Sequence, residues 1–158
     1  MAGTPVTISG TTYNVPVQSQ SPAWGDDLHD VVVALAAAAN SSAGPSDLPM
    51  TSFTIANNTS SVANVTGASF DTTLVRSFIL QYSIYRATTT TEKCETGTLY
   101  GSYKSTAATW DLAQTYSGDS GVVFTITSGG QIQYTSTNFG GASYSGKLKF
   151  YANAFLQA

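Results

Sequence analysis

At 158 residues the chain is long enough for one domain with a sizeable hydrophobic core, and short for two self-sufficient ones. Only 9% of its residues are charged, against roughly 25% in ordinary soluble domains, and Thr, Ser, Asn and Gly supply the polarity instead. The net charge is −3, and the six cations (Arg76, Arg86, Lys93, Lys104, Lys147 and Lys149) are dispersed, which excludes a phosphate-tracking stripe and a nucleic-acid partner.

The remaining composition is too apolar and aromatic for a disordered chain and suits β surfaces, where Thr is favoured. The scarcity of charge has two readings. Either much of the surface is buried against another protein, since interface cores are depleted of charge, or the surface is simply neutral and Thr-rich. Cys94 is the only cysteine, so no intrachain disulfide forms and the chain fits synthesis in a reducing cytoplasm. Met1–Pro5 carries neither the basic region nor the apolar core of a signal peptide. The longest apolar helix candidate is interrupted by Asp26, Asp27, His29 and Asp30, so no membrane span is expected.

Residues 1–20 are polar and β-branched. Val6 and Ile8 alternate, and Tyr13, Val15 and Val17 alternate after a Ser9-Gly10 turn signal. They read as an extended N-terminal arm with no pattern that closes on itself, lying across a neighbouring subunit or serving as an edge strand. Residues 21–40 read as one amphipathic helix. Ser21 caps it, Pro22 takes the first helical position and three aspartates load its early turns. Trp24, Leu28, Val31, Val32 and Leu35 form its narrow apolar stripe. Such a helix suits assembly, and equally suits packing on its own sheet. Residues 41–50, rich in Ser, Gly and Pro, read as a linker.

Residues 51–158 read as about eight short strands separated by turn chemistry: Thr51–Ala56, Ser61–Thr66, Leu74–Arg86, Glu95–Lys104, Thr109–Tyr116, Gly121–Thr127, Gln131–Thr137 and Gly146–Ala154. The long central one places Phe78, Leu80, Tyr82 and Ile84 on one face and Ile79 and Tyr85 on the other, with an arginine at each end. Ser128-Gly129-Gly130, between two alternating runs, marks a hairpin. The fold expected is therefore mainly β, a jelly-roll-like antiparallel β-sandwich.

Catalytic chemistry finds little footing. His29, the only histidine, has Asp26 and Asp30 at one-turn spacing, but a site with neither thiolate nor second histidine fits a solvated helix face better than a metal. The carboxylates Asp71, Glu92, Glu95, Asp111 and Asp119 all lie at or beside turns in this reading, so a glycosidase pair is not indicated. Tyr100, Tyr103, Trp110 and Tyr116 read as core and cross-strand aromatics, with a sugar-stacking platform as the competing use. No cofactor and no metal are expected.

Three blocks carry a resemblance. They are Phe78–Arg86 with Glu95–Leu99, Gly118–Ile126 with Gly130–Asn138, and Ser143–Phe150. Together they resemble the β-rich C-terminal domain of virion structural proteins of tailed bacteriophages. Ile8–Pro16 followed by Ser21–Gly25 is similar to the leader of such proteins. The resemblance implies a non-enzymatic virion component, trimeric, made in the host cytoplasm. A compact chain without fibre repeats fits a capsid decoration (cement) protein on the outer capsid surface, bound to the major capsid protein. The alternative is a head or tail fibre component recognising host glycans. Val6, Ile8, Tyr13, Val15, Val17, Trp24, Ile79 and Tyr85 are the candidate assembly contacts.

Overall fold

The computed structural model describes residues 4–8, 11–15 and 46–157, together with the helical residues Val32, Val33 and Leu35. The chain divides into two compact units, Met1–Gly44 and Pro45–Ala158. In the first unit, β1 (Thr4–Ile8) and β2 (Thr11–Val15) pair antiparallel, with Val6 opposite Tyr13 and Thr4 opposite Val15. The two alternating runs thus close on each other, contrary to the sequence expectation. The Ser9-Gly10 signal between them has the length of a two-residue hairpin loop. Apart from its three helical residues, the helix expected over 21–40 lies outside the described residues.

The second unit holds the remaining eight strands, all antiparallel to their partners. One sheet has five, in the order β3 (Leu48–Thr54), β10 (Ser145–Leu156), β5 (Val75–Ala87), β6 (Glu92–Lys104) and β7 (Thr109–Gly118). The other has three, in the order β4 (Ala63–Ser69), β9 (Gln131–Ser136) and β8 (Val122–Ile126). They form the expected antiparallel sandwich, and one core joins them. Phe78, Leu80, Tyr82 and Ile84 of β5 are buried with Leu148 and Phe150 of β10 against Val65, Phe124, Ile132 and Tyr134 of the smaller sheet. Tyr82 meets Phe124 edge-on at 5.1 Å and Phe53 meets Tyr134 at 5.6 Å, so aromatic pairs bridge the layers.

Sequence chemistry explains the departures from regularity. β3 starts at Leu48, inside the stretch read as linker, because Pro49 sits on an edge strand where the register with β10 slips. A missing N–H costs least there. In β4 the pairing with β9 slips between Asn64 and Ser69, where Gly67 takes a positive φ of 86°. The bulge's loosened carbonyls are recovered by Gln131, whose Nε2 donates to Val65 O and Ala68 O at 3.0 Å each. The hairpin at Ser128-Gly129-Gly130 forms as expected, with Gly130 at φ 85° and its N–H donating to Thr127 O at 3.0 Å.

Two glycines of β6 let the neighbouring strand's rings lie flat on the backbone. A Cβ at Gly101 would fall 2.0 Å from Cε1 of Phe78, and one at Gly97 would fall 2.6 Å from the Tyr82 hydroxyl. Phe78 in turn stacks on Phe70 at 3.8 Å between ring centroids. Ring and glycine together make one packing unit. Replacing Gly101 by Ala is expected to cost about 1–3 kcal/mol through overpacking. Gly140→Ala, where a Cβ meets nothing within 4 Å, should change little. Urea denaturation of the two variants checks the contrast.

Candidate functional site

Period two along β5 does not stop at Ile84. It carries Arg86 onto the core face, and Arg86 is fully buried at 0% exposure. A buried guanidinium is tolerable only when its donors are met. Its five N–H groups all find acceptors. Nε donates to the Tyr144 hydroxyl at 3.0 Å. Nη1 donates to Ser120 O at 2.6 Å and Thr137 Oγ1 at 3.5 Å. Nη2 donates to Asn57 Oδ1 at 3.1 Å and Thr137 O at 2.7 Å. Phe139 and Tyr144 lie against the cation with centroids 5.3 and 5.4 Å from Cζ.

The counter-charge is Glu95, 5% exposed, and the two ions communicate through Ser120. Glu95 Oε2 accepts from Ser120 N at 2.9 Å and Ser120 Oγ at 2.7 Å, while the Ser120 carbonyl accepts from Arg86. Oε1 accepts from the Tyr82 hydroxyl at 2.7 Å, and Gln114 Nε2 donates to that same hydroxyl. Burial, and then the bond to Glu95, push the Tyr82 phenol above its ordinary value of 10.0. Glu95, read from sequence as the first residue of its strand beside a turn, is instead the fourth residue of β6 and lies on the core face. It shares the odd-numbered face of β6 with Leu99.

The other carboxylates do local work. Asp71 Oδ1 caps a turn by accepting from Thr73 N at 2.7 Å, and its hydrogen bonds from Thr73 hold its carboxyl below the usual range. Asp119 pairs with Lys93 at 2.8 Å and accepts from Gly121 N, and the Lys93 bond leads in lowering its pKa. Asp111 pairs with Lys104 across the β6–β7 hairpin. Glu92 accepts from Tyr85 Oη at 3.0 Å. Among the described residues no three His, Cys, Asp or Glu side chains gather as a metal site. His29, Asp26 and Asp30 lie outside them. Cys94 is exposed, on the outer face opposite Tyr85.

The aromatic platform considered from sequence is divided by the fold. Trp110 is buried against Phe70, Phe78 and Tyr103, whereas Tyr100 and Tyr116 are exposed. The Trp110 Nε1 donor has no partner. Of the candidate assembly residues, Val6, Ile8, Tyr13 and Val15 fall in β1 and β2, and Val17 and Trp24 lie outside the described residues. Ile79 and Tyr85 both occupy the outer face of the five-stranded sheet. Ile79 is half-buried in register with Tyr100 and Asn153, and Tyr85 is 44% exposed. Between them on β5 lie Gln81 and Ser83, which floor an open groove of about 500 Å³ that crosses the sheet from Met50 on β3 to Tyr116 on β7. Nothing in the sequence signals this groove, because its walls come from five strands that only the sheet order brings together.

No family model matches the chain and no curated protein is similar to it at a significant level. Among solved structures it is similar to the tailspike protein of Acinetobacter phage vB_ApiP_P1, with a TM-score of 0.36 and 12% identity. The match covers 67% of this chain and 20% of that one, so the chain spans a fraction of the tailspike's length.

Arg86→Ala is expected to destabilise the Pro45–Ala158 unit by about 3–5 kcal/mol, since it strands Asn57, Ser120, Thr137 and Glu95. Arg86→Lys should also destabilise, because an ammonium cannot reach five acceptors in a fixed fork. Urea unfolding measures both. The raised Tyr82 pKa stabilises the fold fully below pH 10.0, the ordinary value, and that contribution is lost as pH rises towards the folded value. The urea midpoint should therefore fall above pH 10.0, and fall less steeply in Tyr82→Phe.

Proposed function

We propose that the protein is a structural component of a tailed-phage virion, a decoration (cement) protein of the outer capsid surface that binds the major capsid protein shell. The role is mechanical: surface buried across shell joints adds association free energy that resists internal pressure. One observation carries this reading. The Pro45–Ala158 unit closes its own core and supplies acceptors to its own buried arginine, while Met1–Gly44 forms a separate unit bearing the paired strands β1 and β2. A self-satisfied body joined in sequence to a separate small unit suits a protein that attaches through one segment and presents the other. The sequence resemblance to virion proteins and the charge-poor surface support the same reading.

On this proposal Val6, Ile8, Tyr13, Val15, Val17 and Trp24 make the contacts with the shell and between the three copies of a homotrimer. Deleting residues 1–20 is expected to leave the denaturation midpoint of the body unchanged and to abolish co-sedimentation with empty capsids. Full occupancy of capsids by the truncated protein would sink the proposal.

A further inference from the structure

The groove on the outer face of the five-stranded sheet has a chemistry that attachment to a shell does not use. Its floor is polar and uncharged, formed by Gln81 and Ser83 of β5 and Thr96 and Thr98 of β6. Tyr151, in register with Gln81, stands half-buried on one side, and Thr115, in register with Thr98, lies on the other. Lys149 is the one charged residue of the lining.

Among the described glutamines Gln81 stands apart by its hydrogen bonding. Gln114, Gln131, Gln133 and Gln157 each donate their amide to another group of the protein. Among the described residues the Gln81 amide and the Ser83 and Thr98 hydroxyls bond to nothing, and Thr96 alone donates, to Tyr82 O at 3.1 Å. These groups offer paired donors and acceptors within a few ångströms of each other. Burying them against an ordinary apolar protein surface would leave them unsatisfied, which is costly. A phosphate-bearing ligand would need more than one cation.

An oligosaccharide meets each condition. Its hydroxyls both donate and accept, and its C–H faces pack on an aromatic ring such as Tyr151. Four strand spacings of about 4.8 Å make the groove roughly 19 Å long, the span of a short chain of sugars rather than one ring. We propose that this groove is an oligosaccharide-binding site, selective for uncharged or weakly acidic sugars. Among the described residues no Asp or Glu lines it, so the lining offers no carboxylate pair for glycoside hydrolysis.

The full-length protein, unlabelled and detected by an antibody raised against it, would be applied to a printed array of neutral and acidic oligosaccharides. The best-retained sugar would then be titrated calorimetrically. Binding is expected, weakened at least tenfold in Gln81→Ala and in Tyr151→Ala, and unchanged in Val123→Ala on the exposed surface of β8. Amide chemical shifts should move at Gln81, Ser83 and Thr98 on adding that sugar, a readout that does not depend on any variant folding. The proposal is overturned if no arrayed sugar is retained, if Val123→Ala weakens binding as much, or if the shifts cluster elsewhere. It is equally overturned if Gln81→Ala and Tyr151→Ala alter only the sedimentation of the protein, which would make the face a contact between copies.

Discussion

The second unit depends on holding one guanidinium where no water reaches. Arg86 sits at the end of the central strand, and its five donors tie together segments from distant parts of the chain: Asn57 after β3, Ser120 between β7 and β8, Thr137 after β9 and Tyr144 before β10. Each of these is a loop or turn with few strand contacts of its own. A hydrophobic side chain at the same point would fill space but would not fix where those backbone groups lie. The ionic centre therefore supplies conformational specificity at this end of the sandwich, at a desolvation cost that only complete satisfaction of its donors offsets. Ser120 completes the arrangement by accepting from the cation through its carbonyl and donating to Glu95 through its N–H and hydroxyl.

The two faces of the five-stranded sheet follow from opposite rules. The inner face spends glycine to gain ring packing, with Phe78 and Tyr82 lying over Gly101 and Gly97. The outer face keeps hydroxyls and amides in ordered rows across register: Tyr151, Gln81, Thr98 and Thr115 in one, Lys149, Ser83, Thr96 and Ser117 in the next. That second pattern makes these two rows polar while nearly free of charge. Neutrality here comes from groups able to hydrogen-bond, rather than from an apolar patch awaiting cover.

Much of the fold was legible from alternation alone. The faces of β5, the eight strands of the body and the hairpin at Ser128-Gly129-Gly130 all follow from side-chain period and turn chemistry. Arg86 was legible too, since 78, 80, 82, 84 and 86 share parity, but a terminal arginine reads as a solvated cap unless its partners are known. Those partners lie 29 to 58 residues away. Glu95 was read as the first residue of its strand, beside a turn, whereas the strand begins at Glu92 and the in-phase neighbour Leu99 marks Glu95 as inward-facing. In the first unit, β1 and β2 pair although the alternation in each is too short to signal it.

By itself the sequence determined the fold class and the approximate positions of the strands of the body, because these rest on local periodicity and on which residue types are present. Only the tertiary structure decided the sheet order, with the C-terminal strand β10 inserted between β3 and β5. It also decided the burial of the Arg86–Ser120–Glu95 centre and the existence of the outer groove. Each of these is a relation between segments far apart in the chain. Such relations are set by which arrangement buries the apolar faces while leaving no buried donor without an acceptor, a condition on the whole molecule that no single stretch of residues expresses.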